Sequence, residues 1–241
     1  MPLHRFQLPE KGFVSSRELG ESPVWPTLAV LTAAGLYATL PSRFVAGQAS
    51  ELFTALRWAV PILTVLLLAP LVLSVPRGRL LASAEAQAAR FGVTRRVASL
   101  AVLGLITVAT ASAVVLLIHY LISGAATQAP LLLRAGIRMW CMNVLLFALW
   151  FWQLDGGGPM ARRLGTGGRD FVFPQETLEG GERWQPHFLD YLYVAFTNGT
   201  AFSPTDAMPL SIWAKMLMLV QSAVSLLVAI LIVARAVNIV H

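Results

Sequence analysis

Apolar residues in this chain are gathered into blocks, and the blocks are separated by short segments that hold most of the arginines. The blocks fall at residues 24–40, 52–75, 97–123, 130–154 and 209–237. Each is close to or above the roughly 17–25 residues that a helix needs to cross about 30 Å of hydrocarbon. A water-exposed domain would need polar surface that the chain lacks. Only 12% of its residues are charged, whereas about a quarter are charged in an average globular domain. The pattern predicts an all-α integral membrane protein with about five transmembrane helices, multi-pass in a plasma or bacterial inner membrane.

The net charge of +6 belongs to the connecting segments, where basic residues meet anionic headgroups and set topology. The lipid bilayer is therefore the expected partner, and nucleic acid is not. Cys141 lies alone inside an apolar block and cannot form an intrachain disulfide. Residues Met1 to Ser22 mix Arg5, Lys11 and Arg17 with Glu10, Glu18 and Glu21, which is not the pattern of a secretory leader. There is no His, Cys or Glu spacing for a metal and no nucleophile motif. Gly156 to Gly158 follow a membrane helix, without the strand that a phosphate-binding loop requires. Neither enzyme activity nor a cofactor is expected.

The connections carry further signals. Residues Pro76 to Arg96 contain Arg77, Arg79, Arg90, Arg95 and Arg96, and their alanine-rich centre predicts an amphipathic helix on the membrane surface. Arg134 and Arg138 share a helix face. Asn143 sits mid-block, where an interhelical hydrogen bond is the ordinary use of an amide. Phe147, Trp150, Phe151 and Trp152 mark an interface. The stretch from Asp155 to Pro186 is glycine-rich and shows no helix or strand pattern. The chain divides into an N-terminal membrane region, 1–129, and a C-terminal module, 130–241.

Within that module, His187 to Asp206 is too short and polar to cross the membrane and too apolar for an exposed loop. Asp190 is a candidate N-cap for a half-length helix over 188–198. Thr197-Asn198-Gly199-Thr200-Ala201-Phe202-Ser203-Pro204-Thr205-Asp206 follows, dense in hydroxyls and backbone breakers. A half-helix, a polar non-helical segment and a full membrane helix read as a re-entrant half-helix and loop. Irregular backbone at membrane depth is tolerated only where protein buries it or where it lines a water-filled cavity.

The run Asp190-Tyr191-Leu192-Tyr193-Val194-Ala195-Phe196, with Thr200, Asp206, Pro209 and the long helix behind them, resembles the pore-loop module of potassium-channel-type proteins. The resemblance covers the C-terminal part of the chain, with block four as outer helix, and implies a pore helix, a filter segment and an inner helix around a tetrameric axis. The Gly-Gly-Gly-Pro loop and the Phe-Ser-Pro-Thr-Asp segment are also similar to those of bacterial multi-pass membrane proteins, a likeness that supplies no function. Aligned at Asp206, the filter positions are Ala201, Phe202, Ser203, Pro204 and Thr205, where the family has Thr-Val-Gly-Tyr-Gly. The two filter glycines are absent. Pro204 fixes φ near −65° and has no N–H, so a stack of potassium-type carbonyl sites is not expected.

What remains is a polar constriction built from the hydroxyls of Thr197, Thr200, Ser203 and Thr205, the amide of Asn198 and the carboxylate of Asp206. Repeated around an axis, these groups form rings suited to monovalent cations with weak selectivity. In the alternative reading Asp206 caps the last helix and the hydroxyls satisfy local backbone. Gln221, Ser222, Ser225 and Ala229 on the last helix form a small, polar face that suits either a pore lining or a helix interface.

Three functions compete: a homotetrameric cation channel, a transporter or solute-binding protein with a broken-helix site, and a structural membrane subunit. With four crossings before the loop, basic residues divide twelve against four in favour of the loop side, which places that side in the cytoplasm. This is the orientation of glutamate-receptor-type channels, inverted from that of potassium channels. If the short first block does not cross, the order reverses.

Overall fold

The structure is a computed structural model, and it describes residues 24–41, 58–67, 85–122, 129–178, 184–200 and 207–240. The long elements are helices α1 (Val24–Ala38), α2 (Trp58–Leu67), α3 (Glu85–Ile122), α4 (Ala129–Leu154), α7 (Phe188–Thr200) and α8 (Ile212–Val240). Between α4 and α7 lie a 3-10 turn at Asp155–Gly157, α5 (Pro159–Leu164), strand β1 (Phe171–Val172) and the single turn α6 (Pro174–Thr177). Strand β2 (Met208–Pro209) precedes α8.

Among the described residues, three helical stretches are long and apolar enough to cross a membrane: Arg96–Tyr120, Leu131–Gly157 and Ile212–Ile230. The first apolar block gives a shorter helix. α1 has 15 residues and ends at an i→i+3 turn whose Leu40 N–H bonds the Tyr37 carbonyl. The Arg138 guanidinium reaches from α4 to the Thr39 carbonyl at 2.8 Å and so serves the C-terminal end of α1. Of block two, α2 is the described part.

α4 is the central helix, packed by α1, α3, α7 and α8. Its two halves meet different neighbours. Leu132, Ala135, Met139 and Met142 pack with Tyr37 and Leu40 of the α1 end, Ala113, Val114 and Leu117 of α3 and Val228 of α8. Val144 to Phe151 pack with Ala29 and Val30 of α1, Val102 and Ile106 of α3, and Tyr191, Val194 and Ala195 of α7. Large apolar side chains such as Val97, Val108 and Val115 on α3 and Leu219, Leu226 and Val233 on α8 face outward, as helices surrounded by lipid require.

Three expectations from the sequence change here. The alanine-rich segment is not a separate surface helix, because Glu85 to Ile122 is one helix of 38 residues. At 1.5 Å per residue that is about 57 Å, longer than the roughly 30 Å hydrocarbon core, and the basic beginning of α3 lies outside Arg96–Tyr120, the stretch long and apolar enough to span. Pro209 does not begin the last helix but pairs with Phe171 in a short antiparallel ladder, beside Val172 with Met208. The stretch after Asp155 is not structureless: its aromatic residues fold it back onto the helix ends. Phe171 and Phe173 are buried against Phe151, Tyr191 and Trp184, with ring centroids 5.3–5.5 Å apart for Phe151–Phe171, Phe173–Tyr191 and Phe173–Trp184. Each such pair contributes about 0.5–1.5 kcal/mol beyond burial, and none of this long-range pairing has a local sequence period.

Candidate functional site

α7 begins where the helices end and runs inward between α4 and α8. Its first turn meets the end of α4, with Phe188 edge-on to Trp152 at 6.2 Å. About two to three turns further in, Phe196 lies edge-on to Trp140 at 5.6 Å, and the Gly199 carbonyl accepts the Trp140 indole N–H at 3.4 Å. α7 is thus antiparallel to α4. It is parallel to α8, since Ala195 meets Gln221 and Gly199 meets Ser225. Gln221 is about 14 Å along α8 from Ile212, close to half of the roughly 30 Å hydrocarbon thickness.

The amphipathic pattern of α7 explains this seat. Phe188, Tyr191, Val194, Ala195 and Gly199 are buried, while Leu189, Tyr193 and Phe196 form an exposed stripe. Asp190 is not the N-cap expected from the sequence. It lies at the third helical position and its carboxylate reaches back to the His187 N–H at 2.7 Å, the acidic half of a capping box.

A closed polar network fastens the inner end of α7. The Gln221 side chain is fully buried; its Nε2 donates to the Ala195 carbonyl at 2.6 Å, and its Oε1 accepts the Asn198 amide at 2.8 Å. The Asn198 amide also donates to the Met218 carbonyl at 2.9 Å. Ser222 donates to both the Asn198 carbonyl and its side-chain oxygen at 3.0 Å. Asn143 fulfils the expected interhelical role, donating to Ser225 Oγ at 2.8 Å and to the Gln221 carbonyl at 3.3 Å. At Gly199 a Cβ would lie 3.2 Å from Ser225 Oγ and 3.4 Å from Val144 Cγ2, so glycine permits the close approach.

The side chains expected to line a pore are therefore distributed in three ways. Gln221 and Ser225 are buried and bonded within the chain, Ser222 is half-buried in the same network, and Ala229 is exposed. Thr197 and Thr200 bond backbone carbonyls of their own helix, Tyr193 and Val194 for the first and Thr197 for the second. Ala201, Phe202, Ser203, Pro204, Thr205 and Asp206 lie outside the described residues. They join the inner end of α7 to Ala207, which is buried beside the β1–β2 pair at the outer level.

The same outer level holds a carboxylate site that sequence reasoning missed. Asp155 is buried. Its Oδ1 accepts the N–H groups of Asp170 at 2.9 Å and Phe171 at 3.2 Å, and its Oδ2 accepts the Tyr191 hydroxyl. A carboxylate at a helix C-terminus opposes the helix dipole. Arg162 compensates by donating to the carbonyls of Trp152 and Asp155, both at 2.7 Å, and its guanidinium lies 5.1 Å from the centre of the Tyr191 ring. Gly156, Gly157 and Gly158 have φ of 58°, 80° and 98°, the left-handed region that glycine enters without strain. An acid directly after an aromatic helix end and ahead of three glycines was the available signal.

Arg96 stands over this turn, its guanidinium nitrogens 3.8–3.9 Å from where Cβ atoms of Gly157 and Gly158 would be. Nearby, burial pushes the Glu176 carboxyl above its usual range; its ion pair with Arg169 pulls it down and the Asp155 charge pushes it up. Among the described residues no group of three metal-ligating side chains occurs. No family model matches the chain, and no curated protein or solved structure matches it.

Proposed function

We propose that the chain is a pore-forming membrane protein, a homotetrameric cation channel of the pore-loop type in which α4, α7 and α8 serve as outer, pore and inner helices. The observation that carries this reading is the seat of α7: it starts at the level where α4 ends and its last turn lies beside Ser222 and Ser225, inside the apolar stretch Ile212–Ile230 and about 20 Å along α8 from Ile212. The negative end of a helix dipole inside the span favours a cation. The next six residues return to Ala207 and carry Ser203, Thr205 and Asp206, whose oxygens are the expected cation ligands. The exposed stripe of Leu189, Tyr193 and Phe196 is apolar and suits a second copy, which a pore needs because one half-helix encloses nothing.

A solute site inside one subunit is less well supported, since Asn143, Asn198, Gln221, Ser222 and Ser225 spend their polar atoms on one another and on backbone. In this reading five helices cross the bilayer of a cell membrane and the α5–β1–α6 layer faces the cytoplasm. Arg96 over Gly157 supports a common side for the basic start of α3 and the end of α4, and the connections 76–96 and 155–186 at those ends hold nine of the sixteen arginines.

Asp206→Asn tests the reading. A ring of carboxylates at a pore mouth concentrates cations, and the effect fades as the Debye length falls from about 30 Å at 0.01 M salt to about 10 Å at 0.1 M. In reconstituted liposomes the variant is expected to lower cation flux more at low salt than at high. Unchanged flux would reduce Asp206 to a helix cap, which asparagine also provides. Wild-type liposomes that pass no monovalent cation at any voltage or pH would remove the channel reading.

A further inference from the structure

The Asp155 carboxylate bonds two elements at once, α7 and the β1 segment, and β1 in turn pairs with the strand that follows residues 201–206. One carboxylate oxygen holds Tyr191 in the first turn of α7. The other holds the Asp170 and Phe171 amides, and this segment is zipped to that strand: Phe171 pairs with Pro209, and the Leu210 N–H donates to the Asp170 carbonyl at 2.8 Å. The carboxylate itself is fixed from behind. Arg162 bonds the Asp155 carbonyl, and the Gly158 N–H bonds the same carbonyl at 2.9 Å. The Gly156 N–H donates to the Asp170 carboxylate at 3.1 Å, so the two acids are cross-tied through the turn.

The aromatic rings around this point supply cohesion but little directional information, because a ring contact tolerates sliding that a hydrogen bond does not. We propose that Asp155 is a positioning residue: it sets the distance between the start of α7 and the β1–β2 pair, and so fixes the outer end of α7 relative to the point where the chain rejoins α8. Its effect on ion passage rests on the pore reading above; its effect on α7 does not.

The experiment uses the full chain in lipid nanodiscs and reads amide hydrogen exchange. Losing hydrogen bonds to a buried charged group corresponds to about a tenfold or greater rise in local opening. Asp155→Ala is expected to raise exchange by at least about tenfold over Phe188–Thr200 and Ala207–Leu210 while sparing the middle of α4. Tyr191→Phe, which removes one hydroxyl and keeps the ring, is expected to raise exchange in α7 by a smaller factor and to leave the Asp170 and Phe171 amides protected. Asp155→Asn keeps a polar atom on each branch and is expected to restore most of the protection lost in the alanine variant.

If Asp155→Ala opens only the segment 155–178 and leaves α7 as in wild type, Asp155 merely folds the loop and the proposal fails. If Asp155→Ala does not fold, Tyr191→Phe decides: unchanged exchange in α7 overturns the proposal. An asparagine variant as open as the alanine one also overturns it, since geometry would then not be what the carboxylate supplies. Liposome flux is measured in parallel. A changed sodium-to-potassium ratio in Asp155→Ala, with the assembly intact, extends the positioning role to the pore. No flux even in wild type ends the pore reading and leaves the exchange result standing.

Discussion

At the scale of single residues, the folded loop is most sensitive where backbone meets backbone. A Cβ on Gly167 would lie 1.7 Å from the Gly156 carbonyl oxygen, and neither chain segment can yield without undoing the Asp155 turn. Gly136 would clash with Ile232, 1.9 Å from Cδ1 and 2.8 Å from Cγ1, but this is a side chain that a rotamer change moves aside. Gly167→Ala is therefore expected to cost roughly 3 kcal/mol and Gly136→Ala under about 1 kcal/mol, read as thermal unfolding in detergent. Glu176 gives a pH dependence with a definite sign. Its raised carboxyl pKa means that the folded state holds the proton more tightly than the unfolded chain, so its contribution to stability declines as pH rises from its ordinary value of 4.5 through the raised one. Glu176→Gln mimics the protonated form, and the Arg169 partner is 59% exposed, so the lost ion pair is worth little. The variant is expected to flatten the decline in melting temperature over that interval. An unchanged pH slope would show that Glu176 does not report on the loop.

At the scale of elements, the apolar blocks announced the helices, and their ends were decided by contacts. The apolar stretch of α3 and the whole of α4 are legible from length and hydropathy because each is long and apolar enough to cross lipid, where every backbone group must be satisfied within the helix. The start of α8 was not, since Pro209 and Met208 gain a strand partner 36 residues or more upstream that no local window contains. The placement of Arg96 over Gly157 and Gly158 brings the start of α3 and the loop after α4 to one level. Cysteines introduced singly at Ala86 and Gln175, in a Cys141→Ala background, are accordingly expected to react with an impermeant maleimide from the same side of sealed vesicles, the cytoplasmic one. Labelling from opposite sides would break the α3–α4 hairpin as described. Labelling of both from outside would restore the potassium-channel orientation.

At the scale of the whole molecule, α7 leaves Leu189, Tyr193 and Phe196 46–53% exposed on a helix of 13 residues, about 20 Å long. In the pore reading α7 stops inside the span and presents polar backbone there, which lipid cannot solvate. A neighbouring copy can. Four copies are expected by mass measurement in mild detergent or nanodiscs, and a monomer that keeps its fold would favour the transporter or structural readings. What the sequence determined by itself was the helical class: its apolar blocks give helices, three of them long and apolar enough to cross a membrane. What only the tertiary structure decided was how polar side chains are used. Gln221 and Ser225 carry the same chemistry whether they face water or Asn198 and Asn143, and Asp155 reads as one more loop acid until Tyr191, Asp170 and Phe171 converge on it. Hydropathy is a property of each residue and sums along the chain, whereas a hydrogen bond between residues 36 apart exists only once the chain has folded.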